Sequence, residues 1–100
     1  MTDPKQTPGA AAKQLQIQLD DAISQGHYVN LTLVNHTETE FVLDFIFVQP
    51  HDPRARVRSR IISSPKHAKK LMMALQDNLT RYEERFGAVD IGGPPEGGVH

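Results

Sequence analysis

Seven of the chain's eleven lysines and arginines fall between Arg54 and Lys70, a stretch that contains no acid. Arg54, Arg56, Arg58 and Arg60 alternate, the spacing that lines one face of a strand. Lys66, Lys69 and Lys70 follow with His67, in what reads as the first turns of a helix, where the macrodipole opposes positive charge. Cations gathered in this way suit an anion such as a phosphate group, or a nucleic-acid backbone. The plainer account is neutralisation by Asp44, Glu38, Glu40 and the acids of the helix. Asp44 is expected opposite or diagonal to Arg58 or Arg60, within reach of a salt bridge.

Other chemistries find little support. The chain has no cysteine, which excludes disulfides, thiolate metal sites and cysteine nucleophiles. Its five histidines, at 27, 36, 51, 67 and 100, show no metal-ligand spacing. Ser63 and Lys66 match the S-x-x-K pattern of acyl-transfer serines, but the accompanying motifs are missing. Asp20–Asp21 and Glu83–Glu84 are adjacent pairs whose side chains diverge, a poor geometry for acid–base work. No glycine-rich phosphate loop occurs. No catalytic, cofactor-binding or metal-ligating residue is expected, and the reading is of a protein that is not an enzyme.

The elements that must carry these residues follow from periodicity. In Gln14–Asp20, Leu15, Ile17 and Leu19 alternate with glutamines, the pattern of a half-buried strand. Asp21–Gly26 is a connection. His27–Val34 reads as a second strand, the polar run 35–40 as a turn, and Phe41–Val48 as a central strand. Two prolines in 49–53 mark a further turn, and Arg54–Ser63 a fourth strand. A helix from Pro65 to Phe86 is signalled by Ser64 as N-cap, Pro65 at the first helical position and Gly87 just past the end. Ala68, Leu71, Met72, Leu75, Leu79, Tyr82 and Phe86 fall at steps of three and four and make one apolar stripe. At 1.5 Å per residue such a helix is roughly 33 Å long, enough to cross a sheet and overhang it.

The expectation is therefore an α+β fold: a four-stranded antiparallel sheet (ββββ) followed by one long C-terminal helix packed on one face. It occupies residues 14–87, between a mobile N-terminal arm (1–13) and a disordered Gly/Pro-rich tail (88–100). If the apolar positions share a face, Val29, Leu31 and Leu33 join Phe41, Leu43, Phe45 and Phe47, and Val57, Ser59 and Ile61, as the seat of the helix. On that seat Leu75 is central, and Leu75→Ala should cost roughly 2–5 kcal/mol. The other face then carries Tyr28, Asn30, Asp44, Arg56, Arg58 and Arg60. With Lys66, Lys69 and Lys70, these make the candidate partner or anion surface.

A net charge of −1 argues against a general nucleic-acid coat protein. A domain of this size has a small core, which self-association would supplement. No apolar run approaches the roughly 20 residues of a membrane span. The expected partners are a second copy, as a homodimer or higher oligomer, and a protein or extended peptide. A single-stranded nucleic acid on the Arg-rich face is the alternative. No cofactor or membrane is expected, and a cytoplasmic location is.

The run from Tyr28 to Gly87 holds four motifs: Y-V-N (Tyr28–Asn30), E-F-V-L-D-F (Glu40–Phe45), S-R-I-I-S-S-P-K-H-A-K-K-L (Ser59–Leu71) and A-L-Q-D-N-L-T-R-Y-E-E-R-F-G (Ala74–Gly87). In combination it resembles a family of small bacterial and archaeal proteins catalogued as a domain of unknown function. The resemblance implies a cytoplasmic prokaryotic protein and directs attention to Asn30, Asp44, Arg60, Tyr82 and Glu83. In outline alone, the ββββα order is similar to SecB, an export chaperone for unfolded chains. It is also similar to the single-strand nucleic-acid-binding modules of the PUR and Whirly type.

Overall fold

A computed structural model of the protein describes residues 14–92. Its elements are α1 (Asp21–Ser24), β1 (Leu31–His36), β2 (Phe41–Val48), β3 (Ala55–Ser63) and α2 (Pro65–Phe86). The strands form an antiparallel sheet in the order β1-β2-β3. The expected arm (1–13) and the end of the expected tail (93–100) lie outside the described residues.

The sheet has three strands where four were expected. Residues 14–20 carry no ladder, and Leu15 and Ile17 are 86% and 88% exposed. An alternating pattern shows that a segment can be a strand. It does not supply the edge with which to pair.

The first hairpin overturns the expected sharing of faces. β1 runs two residues further than the sequence implies, to His36, which pairs with Phe41 and stacks on its ring at 5.3 Å. The loop is Thr37–Glu40, closed by Thr37 N–H donating to the Glu40 carbonyl (2.9 Å). Thr37 Oγ1 also accepts from the backbone N–H groups of Thr39 and Glu40. This loop sets Leu31 opposite Ile46 and Leu33 opposite Asp44. Leu31 and Leu33 therefore lie on the Asp44 face, while Thr32 and Val34 join Phe45 and Leu43. Turn geometry fixed the register here; β2 is apolar on both faces, so matching apolar positions could not.

The second hairpin contains a bulge. Val48, Phe47 and Ile46 pair with Ala55, Arg56 and Val57, but Phe45 pairs with Ser59, so Arg58 is the extra residue. One inserted residue reverses the side to which the rest of the strand points. Arg56 lies on the Phe47 face, Val57 on the Ile46 face, and Arg60 opposite Asp44. The arginines that alternate in sequence do not line one face.

The helix has the expected bounds and caps. Ser64 Oγ accepts from His67 N–H (3.2 Å) and also meets His67 Nδ1 at 2.9 Å. Gly87 adopts φ 98° and ψ 165°, a region that only glycine enters readily. Its N–H donates to the Glu83 carbonyl. Packing is where expectation and structure part. No residue of α2 is buried; Leu75 is 62% exposed and Phe86 64%. Among the described residues only Ile46 and Asp44 are buried. Ile46 lies between Leu31 and Val57, at the middle of the sheet.

Candidate partner surface

The residues singled out in sequence divide into four places. The first is the Asp44–Arg60 pair on one face of the sheet. Arg60 Nε donates to Oδ1 at 2.6 Å and Nη2 to Oδ2 at 2.9 Å, a bidentate fork across adjacent strands. These hydrogen bonds, reinforced by the arginine's charge, hold the Asp44 carboxyl below its ordinary range despite the opposing effect of burial.

The second is Asn30, which completes the ladder. Its Nδ2 donates to the Val48 carbonyl (3.0 Å) and its Oδ1 accepts from the Val48 N–H (2.9 Å). The side-chain amide thus behaves as a surrogate peptide unit just before β1 begins. Asn30 is a structural clamp, engaged with its own chain.

The third place gathers on the opposite sheet face around Phe47. Tyr28 meets that ring edge-on at 6.2 Å, Arg58 lies over it with Cζ at 6.0 Å, and Arg56 is its cross-strand neighbour. Phe47 was missed as a site residue because the unbroken apolar run Phe45–Val48 reads as core. Arg54 leaves the group: its backbone N–H and its guanidinium both donate to Asp52 Oδ1 (3.0 and 3.3 Å), which holds the Asp52 carboxyl low.

The fourth place is the helix. α2 departs from the Phe41 end of the sheet and leaves an open groove of about 1380 Å³ between itself and Val34, Phe41 and Leu43. This is the sheet face chosen for the helix from sequence, but the two do not close on one another. Ala68, Met72, Leu75, Leu79, Tyr82 and Phe86 all line the groove, as does Lys69. Lys66 and Lys70 are exposed. At the far end Glu83 Oε2 accepts from Val89 N–H (2.8 Å), which fixes that carboxylate beside the stripe.

The model of the family described as "Protein of unknown function (DUF3467)" matches residues 1–91. The chain belongs to that family. No curated protein and no solved structure matches it. In this DUF3467 chain, none of the described helices is long and apolar enough to cross a membrane. Among the described residues, two features stand without a partner in this chain: the apolar groove along α2, and the aromatic and arginine cluster around Phe47.

Proposed function

We propose that the protein is a non-enzymatic binding module that works as a homo-oligomer and holds protein or extended peptide segments. The observation that carries this reading is the unpartnered stripe of α2. Burial of a Leu- or Met-sized side chain is worth roughly 1.5–3 kcal/mol, so the exposed half of six such residues represents on the order of 5–9 kcal/mol. That is comparable to the whole net stability of a small domain, about 5–15 kcal/mol. A chain with so little buried apolar surface of its own gains most by sharing this face with another chain.

Two further features support the reading. The outer edges of β1 and β3 are unpaired among the described residues. Residues 14–20 keep a strand's alternation with no ladder in their own chain, and an edge supplied by another chain would complete them as a fourth strand. The cations, in contrast, are divided between two sheet faces, a turn and a helix. That division favours a polypeptide ligand over a nucleic-acid strand, which follows a continuous basic groove.

Light scattering on the full chain at high micromolar concentration tests the oligomer, with a dimer or larger species expected. A monomer throughout would overturn it. Fluorescence anisotropy of a labelled peptide of alternating apolar and polar residues tests the ligand class. Saturable binding is expected; absence of binding beside a salt-sensitive shift of single-stranded DNA would replace peptide with nucleic acid.

A further inference from the structure

Within the stripe, Ala68, Met72, Leu75, Leu79, Tyr82 and Phe86 follow one another at steps of four, three, four, three and four. This is the spacing of a coiled-coil seam. The outermost positions opposite that seam are Lys70, Asp77 and Glu84, all charged, as a seam requires on its solvent side. From this spacing we infer that the groove is filled by α2 of a second copy, lying antiparallel to the first about a two-fold axis near Asp77. The inference rests on the homo-oligomer reading and adds to it the surface, the orientation and the register.

Orientation follows from size and charge. In the antiparallel register centred near Asp77, the smallest seam residue, Ala68, faces the aromatic ring of Phe86 of the second copy. Met72 faces Tyr82 and Leu75 faces Leu79, so the layers keep a similar bulk along the seam. Beside the seam run Lys69, Gln76 and Glu83. The two-fold sets Lys69 against Glu83 of the other copy, Gln76 against its own equivalent, and Glu83 against Lys69, which gives two ion pairs per dimer. On the other flank Leu71 meets the stem of Arg85, with Asn78 beside Asn78. A parallel arrangement pairs none of these charges. Flanking charges of this kind set orientation and partner choice in paired helices.

The charged and polar groups of this flank are available for such pairing. Lys69 and Gln76 both line the groove. Neither Lys69 nor Glu83 has an ion-pair partner among the described residues. Glu83 is held by Val89 through Oε2 alone, which leaves Oε1 for the lysine. An isologous contact of this kind closes on itself as a dimer.

Charge exchange tests the register. Lys69→Glu and Glu83→Lys should each fold, by circular dichroism, and each should self-associate about tenfold more weakly than the parent, since two attractions become two repulsions. Mixed together, the two variants should form a heterodimer of near-parental affinity. The chain carrying both changes should pair with itself and avoid the parent. Because the chain lacks cysteine, Ala68→Cys supplies an independent measure. Its two copies would stand roughly 27 Å apart and should not cross-link under oxidation, whereas Ala68→Cys mixed with Phe86→Cys should. A dimer in which the charge variants mix only statistically, or in which Ala68→Cys links to itself, would overturn the antiparallel seam and leave the oligomer standing. A parent chain that is monomeric at every concentration would overturn both.

Discussion

Arg60 holds Asp44 through a two-pronged contact between neighbouring strands, at 2.6 and 2.9 Å. The carboxylate is buried and the guanidinium is largely exposed, with side-chain exposures of 8% and 61%. The aspartate therefore depends on the arginine for compensation more than the arginine depends on the aspartate.

Acidification should weaken the fold through this pair. The Asp44 carboxyl titrates lower in the folded chain than its ordinary value, chiefly because of the Arg60 hydrogen bonds. Its contribution is therefore fully present above the unfolded value, near pH 4, and is lost as pH falls through the folded value. Asp44→Asn should lower the urea midpoint at neutral pH and flatten the decline below about pH 4. Urea titrations of parent and variant at a series of pH values measure both effects.

Asn30→Ala removes two hydrogen bonds to Val48 at the start of the first hairpin. The expected loss is roughly 1–2 kcal/mol. Asn30→Asp keeps the acceptor but turns a carboxylate oxygen toward the Val48 carbonyl, so at neutral pH it should also destabilise. Amide exchange at Val48, whose N–H donates to Asn30 Oδ1, should quicken in Asn30→Ala.

Gly87→Ala tests backbone conformation in isolation. A Cβ at this position meets nothing within 4 Å, yet φ is +98°. The cost should be about 1–3 kcal/mol and arise from the dihedral angles alone. Fraying of the last turn of α2, seen as lost amide protection near Glu83, should accompany it.

Leu75→Ala separates packing within a chain from packing between chains. At 62% exposure Leu75 has little to lose inside its own subunit. A loss of roughly 2 kcal/mol or more belongs to the associated state. The thermal midpoint of the parent should therefore rise with protein concentration, and that of the variant should rise less. Equal midpoints for the two at high concentration would place Leu75 off the interface.

The long helix was legible because its signals are local: Ser64 and Pro65 at one end, Gly87 at the other, and a regular stripe between them. The central strand and the second turn were legible for the same reason, and the first turn in its place but not in its length. Asp44 with Arg60 could be narrowed to one of two arginines, since cross-strand neighbours are few. Sequence could not say what lies against the stripe, because an apolar face reads alike whether a sheet of the same chain or a helix of another covers it. Nor could it place Leu31, Leu33 or Arg56, whose sides depend on a loop length and on one unpaired residue. The spacing from Ala68 to Phe86 was visible throughout, but it reads as a core stripe until the structure leaves it uncovered.

Arg58, the unpaired residue of the bulge, acts on its strand as a single inserted base acts on a reading frame. Upstream of it arginine and valine alternate in one sense; downstream the sense is inverted, and only in the inverted sense does Arg60 come to Asp44. A regular hairpin grown from the same turn would have offered Asp44 the hydroxyl of Ser59 instead. Pairing Arg58 into the ladder would thus change the residue across from Asp44 without touching either member of the pair, whereas deleting Arg58 would leave Arg60 in place. The ion pair at the centre of the sheet depends on the ladder passing over this one residue as much as on its own two.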